Sequence, residues 1–251
     1  MNKIFTGSTL KILAVISMLT DHFGQIILKN GLALNAPYSM FTDKQFKLLL
    51  SAIEICHILG RIAFPVFCFL VVEGFLHTHS LKKYLLHLGM FAILSEPIYD
   101  LTFGGKIFSL SQQNVLFTLL LGVLVLAVIK NNCKNVALCF AIVGIGAFIA
   151  YICKLDGGYY GICLIVIFYI FRNKSVYRYV AAILLMYICG MEFSLKGLID
   201  PYFLTAVCSL VLIYFYNGKR GMKMKYFFYI FYPAHLVTLF VVSVWIASGI
   251  K

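Results

Sequence analysis

An acid and a histidine stand inside the first apolar stretch of the sequence, at Asp21 and His22, and Lys11 precedes them. The eleven steps from Lys11 to His22, at about 100° each, close about three helical turns, which places both side chains on one helix face about 16 Å apart. A cation at one end of that face can bind an anionic donor, and an imidazole at the other end can act as a base. The alternative is a snorkelling lysine and a structural histidine that is bonded to Asp21 or to a backbone carbonyl.

Further charged residues follow in the second apolar stretch. Glu54, His57 and Arg61 are spaced by three and four residues, so a helix carries them on one face, and Glu73 lies further along the same stretch. A charge at bilayer depth costs at least about 2.5–3.5 kcal/mol on insertion scales. Such residues therefore indicate either a functional site or a buried structural ion pair, and Arg61 could also hold Asp21 ionised.

Polar residues also border the third and fourth apolar stretches. Glu96 and Asp100 flank Pro97, which frees backbone groups near a helix end, and Gln113 and Asn114 open the next stretch. They either line a polar cavity that opens to the outer face or belong to an ordinary helix cap and an interfacial loop.

Two later segments carry three more candidates. Asp156 lies in an external turn that either closes over an acceptor or is a plain turn. Tyr232 and His235 lie on the last apolar stretch. A tyrosine at the membrane boundary usually belongs to an aromatic belt, whereas a histidine beyond Pro233 is less easily explained that way.

Long apolar stretches must position all of these side chains. Of the 251 residues, 62% are hydrophobic and 12% are charged, against about 45–50% and about 25% in soluble domains. The apolar stretches cover approximately 10–28, 46–76, 83–103, 112–130, 135–153, 159–171, 177–191, 201–217 and 226–248. The sequence therefore predicts an all-α fold, a polytopic membrane helix bundle of roughly 9–10 transmembrane helices in a single domain over residues 1–251.

The positive charges predict the orientation of this bundle. Lysine and arginine concentrate in four short gaps, at 82–83, 130–134, 172–178 and 219–225. The positive-inside rule places these gaps in the cytoplasm. The lysine-rich apolar sequence fits a bacterial inner (plasma) membrane. With 46–76 counted as one span the N-terminus is cytoplasmic, and with two spans it is external; Lys3 and Lys11 favour the first.

The composition also bounds the partners. The formal charge of +12 fits loops that face anionic membrane lipid, so membrane lipid is a partner and nucleic acid is excluded. The eight cysteines form no CxxC pair and lie mostly in apolar stretches, so neither disulfides nor a metal site is predicted.

Several blocks of the sequence together resemble the TraX family over nearly the whole chain. These blocks are 10–24, 60–65, 73–75, 95–101 and 113–119. TraX proteins are associated with N-terminal acetylation of F-type pilin, so the resemblance implies an acetyltransferase that uses acetyl-CoA as donor substrate. The family is also similar to a broader superfamily of integral membrane acyltransferases that modify surface polysaccharides and heparan.

The superfamily motifs are matched with two departures. Lys11 stands where the polysaccharide enzymes have arginine, ten residues before their essential histidine, which corresponds to His22. Glu73 stands where they have serine, and Lys82 and Lys83 match the basic pair that follows. The segment 229–235 resembles their last-helix motif, which ends in histidine.

The resemblance implies a set of roles. Lys11, Arg61, Lys82 and Lys83 would hold the donor phosphates, and no metal is expected. His22 would act as general base, Asp21 or Glu73 would orient or charge the site, and Asn114 or Gln113 would stabilise the oxyanion.

The acceptor is an amine or a hydroxyl. The candidates are a pilin N-terminus and a cell-surface glycan or peptide, and its contacts are sought among Glu96, Asp100, Gln113, Asp156, Tyr232 and His235. Two other classes stay open, a proton-coupled transporter and a non-catalytic membrane assembly factor.

Overall fold

The structure is a computed structural model that describes residues 3–132, 135–190 and 195–250. Its α-helices are α1 (Gly7–His22), α2 (Asp43–Gly60), α3 (Ala63–His77), α4 (Leu81–Tyr99), α5 (Val115–Asn132), α6 (Val136–Ile152), α7 (Gly158–Ile170), α8 (Ser175–Gly190), α9 (Pro201–Tyr214) and α10 (Lys225–Ile250). Shorter helical pieces lie between them, and the described residues form no strand beyond isolated bridges. The predicted all-α fold is confirmed.

Four helical segments of the described chain are long and apolar enough to cross a membrane. They are Gly7–Ala33, Asp43–His77, Val115–Asn132 and Tyr226–Ile250. Four shorter apolar helices accompany them, Val136–Ile152, Gly158–Ile170, Val176–Cys189 and Pro201–Tyr214. By length and composition this is a multi-pass membrane protein.

The start of α1 is tied to the loop that precedes α10. The Thr6 hydroxyl caps the helix, and the amides of Gly7 and Ser8 donate to the carbonyls of Lys219 and Arg220 at 2.8 and 3.0 Å. These bonds satisfy amides that a helix N-terminus leaves without an intrahelical partner. At its other end α1 widens into the π-helical segment Phe23–Ala33, so the regular α-helix ends at His22. Wide helical turns of this kind occur frequently at functional sites.

The second apolar stretch is a helix with a break. α2 ends at Gly60 and α3 begins at Ala63. Pro65 has no amide hydrogen for the carbonyl of Arg61, four residues earlier, so the helical ladder is interrupted there. The break turns Arg61 to the same region as Asp21 and His22, which all line one cavity.

Small residues bring the central helices close together. A Cβ on Gly122 of α5 would lie 2.4 Å from Cδ1 of Ile165 on α7, and one on Gly146 of α6 would lie 2.5 Å from Cγ2 of Val125. Small residues at such contacts are typical of membrane helix packing, where close backbone approach replaces the hydrophobic driving force. This packing fixes α7 and the turn before it, which carries Asp156.

The basic gaps of the sequence gather at one end of the bundle. Lys3, His77, Arg172, Arg178 and Asn217 line a single cavity there, and they come from the N-terminus and from or beside three of the four basic gaps. The fourth gap is described only as far as residue 132, so Lys134 lies outside the described residues. The weakly charged turn that contains Asp156 lies at the other end.

Candidate active site

A cavity of about 570 Å³ opens among the helices near the less charged end. Helices α1, α3, α5, α7, α8, α9 and α10 contribute to its wall, together with the α2–α3 break and the α6–α7 turn. Its polar and aromatic lining residues include Asp21, His22, Arg61, Phe64, Phe67, Asp156, Tyr160, Tyr202, Phe203 and Tyr232. An apolar cavity with a few convergent charged groups is the usual form of a small-molecule site.

His22 is paired with a second histidine. Its Nδ1 lies 2.7 Å from Nε2 of His235, and the two rings are parallel within 2° with their centroids 5.0 Å apart. Nδ1 of His235 lies 2.8 Å from the carbonyl oxygen of Phe231, one turn earlier on α10. The sequence placed both histidines in the membrane, and the structure brings them together across a separation of 213 residues.

The carbonyl of Phe231 sets the tautomer of both rings. A carbonyl oxygen only accepts, so Nδ1 of His235 carries a proton and donates it. In a neutral His235 the other nitrogen, Nε2, is then an acceptor, and Nδ1 of His22 donates to it. Nε2 of His22 keeps its lone pair. The arrangement therefore presents His22 as a base through Nε2.

Asp21 is bound to a different histidine. Its Oδ1 lies 2.6 Å from Nδ1 of His57 on α2, and consecutive residues of a helix point about 100° apart, so Asp21 and His22 face different neighbours. Gly60 makes this pairing possible, because a Cβ there would lie 2.4–2.7 Å from Asp21 side-chain atoms. Asp21 also lines the cavity and supplies it with negative charge.

Arg61 and Asp156 add charges of opposite sign to the cavity. The guanidinium of Arg61 lies over the ring of Tyr202 at 5.3 Å. The backbone amide of Asp156 donates to the Gln113 carbonyl at 2.8 Å, and the Thr118 hydroxyl donates to the Asp156 carbonyl. Burial and the Asp21 carboxylate raise the pKa of Asp156 to about 6, and Arg61 acts in the opposite direction. This carboxyl group therefore titrates just below neutral pH.

Four of the predicted acceptor and oxyanion contacts, Glu96, Asp100, Gln113 and Asn114, do not line the cavity. Asn114 is fully buried, and its side-chain amide donates to the Ala92 carbonyl at 2.8 Å and to the Glu96 carboxylate, while its oxygen accepts from the amide of Leu116. Asn114 and Glu96 thus fasten the start of α5 to α4.

Gln113 and Asp100 hold the loop between those two helices. The Gln113 side chain donates to the Ser109 carbonyl at 3.4 Å, and Asp100 Oδ2 accepts from the Ser109 amide at 2.7 Å. One carboxylate oxygen each of Glu96 and Asp100 is buried without a hydrogen-bond partner among the described residues.

The four predicted donor-binding cations are not together. Arg61 lines the cavity with His22. Lys11 lies with its Nζ 5.3 Å from the ring centre of Phe228, and Lys82 and Lys83 are exposed on the first turn of α4. None of these three lysines lines the cavity.

Glu73 lies away from His22. It lines the second cavity, at the basic end, where the hydroxyl of Tyr216 donates to its Oε2 at 2.9 Å. Nine residues of α3 separate it from Phe64, about 14 Å at about 1.5 Å per residue. The structure therefore gathers Asp21, His22, Arg61, Asp156 and Tyr232 in one cavity, with His235 behind His22.

Sequence reasoning did not select several residues that line the cavity. Tyr160 follows the Asp156 turn by four residues, so the tyrosines after that turn were a usable signal. Tyr202 opens α9, and Phe64 lies beside the α2–α3 break. Phe64 belongs to the block 60–65 that resembles the family, which was a usable signal, whereas Tyr202 lies in none of those blocks.

Two comparisons with known proteins cover most of the chain. A family model described as TraX protein matches residues 6–243. The chain is also similar to a protein of Dichelobacter nodosus named probable fimbrial assembly protein FimC, serogroup H1. The two are 28% identical in an alignment of 251 positions that covers 94% of each chain. No solved structure matches the chain.

Proposed function

Because the chain belongs to the TraX family, we propose that it is a membrane-embedded acetyltransferase. It moves an acetyl group from acetyl-CoA to an amine or hydroxyl acceptor, with His22 as general base. The observation that carries the proposal is the hydrogen-bonded series from Phe231 through His235 to His22, which leaves Nε2 of His22 free to take a proton beside the cavity.

The proposed step is a direct acyl transfer. Nε2 of His22 takes the proton of the acceptor N–H or O–H while the acceptor atom forms a bond to the thioester carbonyl carbon. The tetrahedral intermediate then expels the CoA sulfur, and the imidazolium returns its proton to that sulfur. One C–S bond is exchanged for one C–N or C–O bond, and His22 ends in its starting state.

Arg61 is the proposed partner of the oxyanion. It is the cation of the same cavity, and a fixed positive charge near a developing oxyanion lowers the barrier in a site with little water. The Asn114 amide, which the sequence suggested for this role, already donates to Ala92 and Glu96. Asp21 and Asp156 supply the negative charge that would attract a cationic amine acceptor.

The name of the relative indicates which acceptor to test first. FimC is named a probable fimbrial assembly protein, so a pilin subunit is the first acceptor to test, and surface glycans and peptides are the next. We place the protein in the inner membrane with its N-terminus in the cytoplasm, where acetyl-CoA is available to the basic end.

The test is transfer of radiolabelled acetyl groups by the purified protein in detergent. Acetyl-CoA and a crude envelope fraction are supplied to wild type, to His22→Ala and to His79→Ala, an exposed histidine that lines neither cavity. Loss of the base should lower the rate by about 10²-fold or more, and His79→Ala should match wild type. Equal label transfer by wild type and His22→Ala, or no transfer by either, overturns the proposal.

The relative's name also favours a second candidate function, a non-catalytic assembly factor. That function does not use the lone pair of His22. In a strain that lacks the protein, a plasmid copy with His22→Ala would then restore surface fimbriae as well as wild type does. Under the acetyltransferase proposal the same variant restores no acetylated product.

A further inference from the structure

The second cavity, at the basic end of the bundle, has a volume of about 360 Å³. Lys3, Arg172 and Arg178 contribute three positive charges to its wall, and Glu73 contributes one negative charge. Among the described residues, none of these three cations has an ion pair with a carboxylate oxygen within 4.0 Å. The cavity therefore concentrates positive charge that the protein itself leaves uncompensated.

One of these cations has an unused donor. Nε of Arg178 is buried and has no hydrogen-bond partner among the described residues, while Nη2 of the same side chain donates to the Tyr179 hydroxyl at 3.0 Å. A buried donor without a partner costs about 1–3 kcal/mol, more for a charged group. An acceptor oxygen of a ligand would remove that cost, and phosphate oxygens are the anionic acceptors that arginine binds best.

Glu73 does not cancel this preference. Its Oε2 accepts the hydrogen bond of Tyr216, and its backbone carbonyl faces Nδ1 of His77 at 2.9 Å. The carboxylate is thus held on the α3 side of the cavity by the Tyr216 hydroxyl. Arg172 is fixed on another side, where Nη1 donates to the Tyr169 carbonyl at 2.8 Å.

The two cavities lie along the same helices. On α3 the first cavity is lined as far as Phe67 and the second from Phe69, two positions or about 3 Å further along the helix. On α8 the nearest lining residues are Met186 and Arg178, about 12 Å apart. Helix α9 also lines both cavities, the first near its start at Tyr202 and the second near its end at Ile213. An elongated molecule that lies between α3, α8 and α9 can therefore reach both.

We infer that the second cavity binds the phosphate groups of the acyl donor, whose acyl arm extends along α3, α8 and α9 to His22. This inference rests on the proposed function. The cations of the second cavity take the role that the sequence gave to Lys82 and Lys83, because both of these lysines are exposed and line neither cavity. The buried side chains of Cys68, Ala182 and Leu210 lie between the two cavities by helix position. The arm would therefore take up space that Cys68 and Leu210 fill when no donor is bound.

Binding of radiolabelled CoA, measured without any acceptor, tests the inference separately from the chemistry. We expect Arg178→Gln and Lys3→Gln to weaken binding, Arg178→Gln by about ten- to hundredfold, the range given by the loss of one charge-assisted hydrogen bond. Lys82→Gln removes the same charge outside the cavity and should bind as wild type. Lys3 is exposed, so its variant folds even if Arg178→Gln does not.

The outcomes separate the two proposals. If wild type binds CoA and both cavity variants bind it equally well, the inference is wrong and the acetyltransferase proposal stands. If binding falls in the variants but no acetyl transfer occurs in wild type, the phosphate site stands and the proposed function fails. A third arm adds phosphatidylglycerol to the micelles. In this arm, wild type and Arg178→Gln are compared for CoA binding and for the amount of phosphatidylglycerol that each retains. If Arg178→Gln retains less lipid than wild type but binds CoA equally well, and the lipid does not displace CoA, the cavity holds a lipid phosphate and the inference is overturned.

Discussion

A histidine is a base only at the ring nitrogen that carries no proton, so the group bonded to its other nitrogen decides what it can do. At His22 that group is His235, and the Phe231 carbonyl behind His235 fixes the direction of both hydrogen bonds. The sequence predicted His22 as the base from its depth in an apolar stretch. It assigned His235 to the acceptor, because no spacing rule connects residues that are 213 positions apart.

The role of His235 predicts different effects for two substitutions. His235→Leu removes the acceptor for Nδ1 of His22, so we expect kcat to fall about ten- to hundredfold, by analogy with the loss of a group that orients a metal-ligating histidine. His235→Gln keeps a side-chain oxygen that can accept the same bond and should retain more activity. The Michaelis constant for acetyl-CoA should change little in both, because neither variant alters the second cavity.

Transfer rates of both variants, measured across pH, check this role. The rate of the leucine variant should depend on pH differently from wild type, because a His22 without a fixed partner can carry its proton on either nitrogen. Equal losses in the glutamine and leucine variants, with an unchanged pH profile, would mean that His235 only fills space.

At the scale of helices, periodicity and composition predicted most of the apolar elements but not their irregularities. The sequence indicated a kink or a division in the stretch 46–76, and the structure breaks it between α2 and α3, where Pro65 cannot bond the Arg61 carbonyl. The π-helical segment Phe23–Ala33 has the same kind of composition as the α-helix before it. Its width follows from packing against α2 and α10, which sequence periodicity does not contain.

The crossing of α1 and α2 depends on the absence of a side chain at Gly60. A methyl group there would meet Asp21 at 2.4–2.7 Å, so Gly60→Ala should separate Asp21 from His57 and destabilise the protein by about 1–3 kcal/mol. Gly144→Ala on α6 is the matched control, because a Cβ there meets no atom within 4 Å. Thermal unfolding in detergent measures both, and the control should unfold at the wild-type temperature or slightly above it. A Gly60→Ala protein as stable and active as the control would contradict this view of the crossing.

At the scale of the whole molecule, the charge pattern and the cavities give the same polarity. The basic gaps meet around the cavity lined by Lys3, Arg172 and Arg178, whereas the cavity of His22 lies toward the Asp156 turn. The alternation of the gaps could be read from the sequence because each gap follows one helix. The sequence could not show which side chains enclose a cavity, because that depends on how α3, α8 and α9 pack side by side.

The polarity predicts which loops can be labelled from outside the cell. Lys106 and Lys174 are both exposed. Lys106 lies in a weakly charged gap, and Lys174 lies in a basic gap. Cysteine at each position, in a chain whose native cysteines are replaced by serine or alanine, provides one target at a time; every described cysteine is free, so no described disulfide is lost. A membrane-impermeant maleimide should label Lys106→Cys on intact spheroplasts and Lys174→Cys only after permeabilisation. The reverse pattern would turn the basic cavity away from cytoplasmic acetyl-CoA, and it would contradict the proposed donor site and the proposed transfer reaction together.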